Sequence, residues 1–167
     1  MAAHPFSMEL LKEVSDGLIP SKKILEEFKE RNAARAVLLD KENKVALIYN
    51  PEHKHHKLLG RGLKENEKPE EAIRELAETT GSEPNILGEI GKVVEYRHKY
   101  KLNQTSYGYL ARVSGEIKNN GVKWVSLGEA LELLEKDEPS NYEGSFIVKR
   151  ELGFLRRARR ILQMKSL

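Results

Sequence analysis

The sequence has no cysteine among its 167 residues and only 7% aromatic residues. Without cysteine, the chain can form neither a disulfide framework nor a thiolate site, and a cytoplasmic protein is the default expectation. No apolar run approaches the roughly 18 residues needed to cross a membrane. The amino-terminal MAAHPFSMELLKEV lacks both the basic and the continuous apolar regions of a signal peptide. We therefore expect a cytoplasmic protein with no membrane span.

The remaining composition is that of one folded domain. Apolar residues make up 39% and charged residues 33% of the chain, with a net charge of +3. Acidic residues gather near the middle and basic residues near the carboxyl terminus. We divide the chain into an N-terminal extension with a short helix, 1–32, and a domain, 33–167, that ends in a long basic helix.

The spacing of apolar residues predicts the secondary structure. Ser21 is a suitable N-cap for a helix running to about Glu30. A short strand or a single helical turn is expected at 8–14, and a polar turn at 114–121. Apolar runs and alternation predict strands at 34–39, 45–49, 86–98, 105–113 and 122–126. A final helix is expected at 145–163, with a stripe of leucines on one side.

The segment 60–81, GRGLKENEKPEEAIRELAETTG, is the best candidate for a functional site. A glycine loop leads into a helix with Pro69 in its first turn and Gly81 as its expected C-terminal cap. Glu71, Glu75 and Glu78 fall at positions i, i+4 and i+7, so they share one helix face. Carboxylates of this kind suit Mg²⁺, although spacing alone favours a solvated acidic face.

This segment resembles the box of the Nudix family, G-x5-E-x7-R-E-U-x-E-E-x-G-U, where U is an aliphatic residue. Its second half matches without a gap at Arg74, Glu75, Leu76, Glu78 and Gly81. In the first half, a rigid register places Gly60 and Asn66 on the glycine and glutamate positions. A spacer that is one residue short places Glu67 on the glutamate position instead, with Gly62 nearby, and we favour this alignment.

The resemblance also has departures. Thr79 stands where the family has the second glutamate of its E-E pair, which supplies metal ligands. The longer acidic insertion that many relatives carry near 115–121 is largely absent. Both departures weaken the expected catalytic site while leaving the resemblance in fold intact.

The resemblance implies an α/β fold, a Nudix-type α/β/α sandwich with a mixed, curved β-sheet. It implies hydrolysis of a phosphoanhydride in a nucleoside diphosphate linked to another group, with Mg²⁺ or Mn²⁺ as cofactor. The implied metal ligands are Glu75, Glu78, Glu71 and Glu67. The implied catalytic residues are Glu75, Glu78 and Arg74, with Arg74 paired to a box carboxylate. The candidate substrate-binding residues are Gly60, Arg61, Gly62 and Lys57.

A different class of function stays open at this point: a Nudix-fold module that has lost efficient catalysis and binds a nucleotide, RNA or a protein. Such a module would bind RNA or an acidic partner through the basic face of the last helix. The simpler interpretation, a solvated surface with no partner, is favoured for this face. The residues expected on that face are Lys149, Arg150, Arg156, Arg157, Arg159 and Arg160. The histidines at 53–56 fit a solvated loop better than a transition-metal site. A homodimer also stays open, since dimers are common in the family.

Overall fold

Residues 7–118 and 120–165 are described in a computed structural model. Within these ranges the chain forms eight strands and four helices, with a 3-10 turn at His98–Tyr100. The strands are β1 Leu10–Ser15, β2 Lys29–Leu39, β3 Val45–Asn50, β4 His55–Lys57, β5 Leu59–Gly62, β6 Gly81–Arg97, β7 Leu102–Ile117 and β8 Lys123–Val125. The helices are α1 Lys22–Leu25, α2 Pro69–Glu78, α3 Leu127–Lys136 and α4 Tyr142–Lys165.

The strands form one mixed sheet with helices on both faces. The strand order is β1-β6-β7-β2-β3-β4, while β5 pairs with β2 and β8 pairs with β3. The β1–β6 and β2–β7 pairs are parallel, and the other pairs are antiparallel. The helix α2 packs against one apolar core, and α3 and α4 pack against the other. This arrangement confirms the expected α/β/α sandwich.

Alternation along β7 shows how the sequence supplies both cores. Tyr107, Tyr109 and Ala111 belong to the core beneath α2, and Leu110 belongs to the core beneath α4. Successive side chains of a strand point to opposite faces, so a fully covered strand needs apolar residues at both sets of positions. The predicted strand at 105–113 is therefore confirmed and extends at both ends.

The prediction of a helix that runs to Glu30 is wrong, because α1 ends at Leu25. Ser21 does cap its start, accepting a hydrogen bond from the Ile24 N–H at 3.3 Å. From Lys29 onward, however, the backbone pairs in parallel with β7 through eleven registered positions. This long ladder satisfies more backbone groups than the five further helical residues, 26–30, would, so tertiary pairing overrides the local helix signal.

The strand β1 shows that part of the N-terminal stretch belongs to the sheet. Leu10–Ser15 pairs in parallel with β6 and forms the sheet's edge. Residues 1–6 of that stretch lie outside the described residues. The division of the chain at 32 and 33 stays a prediction.

Two turn assignments are also corrected. Gly81 does not cap α2, which ends at Glu78 with Thr79 as its C-cap. Gly81 instead begins β6, where an added Cβ would lie 2.3 Å from Val113 Cγ2. The turn predicted to begin at residue 114 begins later, because β7 continues to Ile117; residue 119 lies outside the described residues.

A buried ion network joins α4 to the sheet. Arg150 is only 2% exposed and donates to Glu151 at 2.8 Å and to Glu95 at 3.1 Å. Glu95 also accepts from Arg97 and Gln104, each at 2.8 Å. The assignment of Arg150 to the basic surface of the last helix is therefore wrong. Its guanidinium is buried because two carboxylates compensate its charge there.

Close packing of α4 on the sheet leads to a first prediction. An added Cβ at Gly108 would lie 2.5 Å from the Phe154 ring, whereas nothing lies within 4 Å of a Cβ at Gly128 on α3. We expect Gly108→Ala to lower the free energy of unfolding by about 1–3 kcal/mol through overpacking. Gly128→Ala is the matched control, expected to stabilise the chain or leave it unchanged. Urea unfolding measures both, and equal midpoints for the two variants would contradict the packing.

Candidate ligand-binding site at the glycine loop and α2

The helix α2 separates a buried face from an acidic, exposed one. Pro69 occupies the first turn, where its missing N–H has no helical partner to lose. Pro69, Ala72, Ile73 and Ala77 are buried against the sheet. The acidic face carries Glu71, Glu75 and Glu78, all of which are exposed. Arg74 is exposed too, and it lies within 4.0 Å of no carboxylate among residues 7–118 and 120–165.

The cation that pairs with the box carboxylates is Arg61, from the glycine loop. Its guanidinium donates two hydrogen bonds to Glu67, both at 2.7 Å, and a third to Glu75 at 3.2 Å. The hydrogen bonds from Arg61, and that from the Lys64 N–H, lower the pKa of Glu67 to about 2. Glu67 in turn raises the pKa of Arg61. One guanidinium therefore already engages two of the proposed metal ligands.

The role of Arg61 was readable from the box spacing and was missed. When Glu67 takes the glutamate position, counting back over the five residues of the spacer places Arg61 on the pattern's first glycine. A side chain at that position can reach over the loop toward the carboxylates. The substitution of an arginine for a glycine beside an acidic helix was the available signal.

Two further arginines lie across the glycine loop. Because β5 pairs antiparallel with β2, Arg35 stands opposite Gly60. An added Cβ at Gly60 would lie 2.4 Å from Arg35 Cδ, and one at Gly62 would lie 3.0 Å from an Arg31 nitrogen. Burial first, and then the nearby Arg150, lower the pKa of Arg35 to about 9. The loop glycines thus make room for cationic side chains, which were not predicted. Lys57, the other candidate, ends β4 just before the loop.

A second carboxylate pair lies between α2 and the sheet. The Tyr109 hydroxyl donates to Glu70 at 3.0 Å. Burial and the nearby Glu70 raise the pKa of Glu89, which lies beside Tyr109 in the sheet. Tyr109 donates this hydrogen bond from within the core beneath α2. Because its ring is buried there, the ring is not open to stacking by a nucleobase. The pair adds negative charge under α2 but brings only two carboxylates together.

The histidines before the loop have structural roles. The backbone N–H and the ring Nδ1 of His56 contact the Asp137 carboxylate at 2.6 Å and 3.0 Å, which ties β4 to the end of α3. The His55 side chain is buried, and its Nδ1 lies 3.3 Å from the His56 carbonyl oxygen. Neither ring is directed toward a shared metal position.

The residues present do not fit the expected Mg²⁺ or Mn²⁺ centre. Within the described ranges, no group of three His, Asp or Glu side chains is placed to hold a metal ion. Thr79 offers only a hydroxyl, and that hydroxyl already donates to the Leu76 carbonyl at 2.6 Å. Glu75 and Glu78 remain near each other on the exposed face, but Arg61 already engages Glu75. Since Mg²⁺ normally takes one or two carboxylates together with water and phosphate oxygens, an ion held by Glu75 and Glu78 would have to compete with Arg61 for Glu75.

Comparison with known proteins agrees with this fold and box. The NUDIX domain family model matches residues 29–145, and the chain belongs to the Nudix family. No curated protein gives a significant match. In the described part of the chain, no helix is both long enough and apolar enough to cross a membrane.

Several solved Nudix structures share the fold. The Ap4A hydrolase of C. elegans has a TM-score of 0.58 at 17% identity, covering 80% of this chain and 99% of that one. A MutT protein from Methanosarcina mazei Go1 has a TM-score of 0.56 at 17% identity, covering 80% and 96%. The NUDIX domain of Shewanella oneidensis NrtR, solved with ADP ribose, has a TM-score of 0.53 at 19% identity, covering 86% and 99%. At these identities the likeness extends to the fold alone.

Proposed function

We propose that this chain binds a nucleoside diphosphate derivative at the glycine loop and has lost efficient metal-dependent hydrolysis. The observation that carries the proposal is the position of Arg61, whose guanidinium bridges Glu67 and Glu75. This arginine keeps a positive charge in contact with both carboxylates, since its side chain stays protonated at physiological pH. A metal ion would have to displace it to reach the same oxygens.

The charges around the loop suit a phosphate group. Arg31 is exposed beside Gly62, whereas Arg35, beside Gly60, already donates to Ser106 at 3.3 Å and lies near the buried Arg150. Arg61 Nε is buried and has no hydrogen-bond partner among the described residues, so a ligand oxygen that reached it would satisfy an unpaired donor. Arginine donors recognise phosphate through charge-assisted hydrogen bonds, which are stronger than neutral ones. The NrtR domain solved with ADP ribose makes this molecule a reasonable first probe.

A second candidate is a weak Mg²⁺-dependent hydrolase of the same ligand class. It is favoured by the retained Arg74, Glu75, Leu76 and Glu78, which keep the second half of the family pattern on α2. Hydrolases such as the C. elegans Ap4A enzyme also share the fold. In this alternative, Glu75 and Glu78 would be the metal-holding residues, and Arg61 would have to move.

Calorimetric titrations in EDTA test ligand binding without metal. The probes are ADP-ribose, diadenosine tetraphosphate and the common nucleoside diphosphates. At least one probe is expected to bind, and Arg31→Gln is expected to weaken its affinity at least fivefold. Lys41→Gln, in the remote β2–β3 turn, is the charge-matched control and should leave the affinity unchanged. Failure of the whole panel to bind in EDTA would overturn the proposal.

Release of phosphate or nucleoside monophosphate, in Mg²⁺ and in Mn²⁺, separates the two candidates. The proposal expects the unmodified protein and Glu78→Gln to give the same low rate. A measurable rate that disappears in Glu78→Gln would instead establish the hydrolase.

A further inference from the structure

A groove of about 400 Å³ lies between the edge strand β1 and α4. It is on the α4 side of the sheet, opposite α2 and its acidic face. A volume of this size is within the range of small-ligand sites. Its lining consists of one apolar side chain, one glycine and four cationic side chains: Leu11, Lys12, Gly153, Arg156, Arg157 and Arg160.

The groove has more cationic side chains than carboxylates within ion-pair distance of them. Arg157 forms an ion pair with Glu9, and Arg156 approaches Glu135 at 3.6 Å. Lys12 and Arg160 have no acidic partner within 4.0 Å among the residues that the structure describes. Four cations against two carboxylates leave an excess of two positive charges in the groove.

The surroundings of Lys12 show that this excess is not relieved by other residues that the structure describes. Its ammonium donates to the Lys149 carbonyl at 3.4 Å, a long contact. Burial, then Arg156 and Lys149, lower the pKa of Lys12 because all three disfavour its charged form. A bound anion would reverse this effect by placing negative charge among the cations.

We infer that the groove between β1 and α4 is a second binding site, for a small, multiply charged phosphate anion. Recognition there depends on charge and on arginine donors to phosphate oxygens. Proteins that bind single-stranded nucleic acids without sequence preference stack the bases on aromatic side chains. The groove lining contains no aromatic side chain, so it offers no ring for such stacking. The groove therefore favours a compact polyphosphate over RNA.

Calorimetric titration with inorganic tripolyphosphate at low ionic strength tests this site. Binding to the unmodified protein is expected, with an affinity that falls as salt is added. The double variant Lys12→Gln/Arg160→Gln removes the two cations without acidic partners and is expected to weaken binding at least tenfold. Arg159→Gln, exposed on α4 outside the groove, removes a neighbouring charge and is expected to change the affinity less than twofold.

Three outcomes would overturn the inference. One is the absence of tripolyphosphate binding at low salt. Another is a loss in Arg159→Gln as large as the loss in Arg160→Gln measured alone, which would indicate binding to net charge only. The third is tighter binding of a single-stranded RNA 12-mer that is also lost in the double variant, which would make the groove a nucleic-acid surface. Circular dichroism confirms that each variant is folded. Arg31→Gln is expected to retain the groove signal, which separates this site from the glycine loop.

Discussion

Replacing Glu95 with glutamine is expected to lower the free energy of unfolding by about 3 kcal/mol, because the variant leaves buried arginine charge uncompensated. Glu95 is fully buried and accepts hydrogen bonds from Arg97 at 2.8 Å and from Arg150 at 3.1 Å. Glutamine keeps the shape of the side chain, removes its charge and replaces one accepting oxygen with an NH2 group that cannot accept from the arginines or Gln104. Urea unfolding at neutral pH measures the difference.

Glu83→Gln, at an exposed position on the same strand, is the control and is expected to change stability by less than about 0.5 kcal/mol. A loss below about 1 kcal/mol for Glu95→Gln would show that the network contributes little to stability.

The same substitution is expected to change the acid unfolding profile. Burial alone would raise the pKa of Glu95, but Arg150, Arg97 and the hydrogen bonds outweigh it and lower the pKa to about 2 from an ordinary 4.5. A carboxylate with a depressed folded-state pKa stabilises the fold above pH 4.5 and loses that contribution as the pH falls toward 2. Between these values, we expect the stability of Glu95→Gln to fall less steeply than that of the unmodified protein.

The second large effect is expected from Arg61→Gly combined with Thr79→Glu. Removing the guanidinium frees Glu67 and Glu75, and the new carboxylate supplies a ligand type that the chain lacks at this position. Mg²⁺ prefers such hard oxygen ligands. We expect the double variant to bind Mg²⁺ at least tenfold more tightly than the unmodified protein. Calorimetry or Mn²⁺ competition measures the gain.

The single variants decide which departure from the family pattern matters more. Thr79→Glu alone is expected to gain little, because Arg61 still occupies the carboxylates. Lys64→Gln, which removes a positive charge at an exposed position in the same loop, is the control for Arg61→Gly and should not change Mg²⁺ affinity. A full gain from Thr79→Glu alone would show that the missing ligand, and not Arg61, limits metal binding.

Periodicity and the box resemblance were enough to predict most of the fold. The apolar stripe of α4 specifies which helix face is buried, and the alternation at 105–113 separates the β7 side chains that pack beneath α2 from those that pack beneath α4. The helix predicted to end at Glu30 failed because the decisive interaction, the pairing of β2 with β7, joins segments about seventy residues apart. Local propensity carries no information about such a partner.

The candidate site was predictable in position but not in chemistry. The glycine loop and α2 are adjacent as expected, and Glu75 and Glu78 do share an exposed face. The box spacing signals an arginine on a glycine position at Arg61, but which carboxylates that side chain contacts depends on the rotation of α2 relative to β5, which the spacing does not reveal. Arg35 reaches the loop only through the β2–β5 register. The catalytic, metal-binding and substrate-binding roles assigned to these residues stay predictions.

Titration of the unmodified protein with Mg²⁺ tests the central claim most directly. If Arg61 takes the place of a metal ion at the box, calorimetry should show no saturable Mg²⁺ binding at millimolar concentrations, and Glu78→Gln should give the same trace. Saturable binding that disappears in Glu78→Gln would contradict the account and would restore the metal centre that the family resemblance implies.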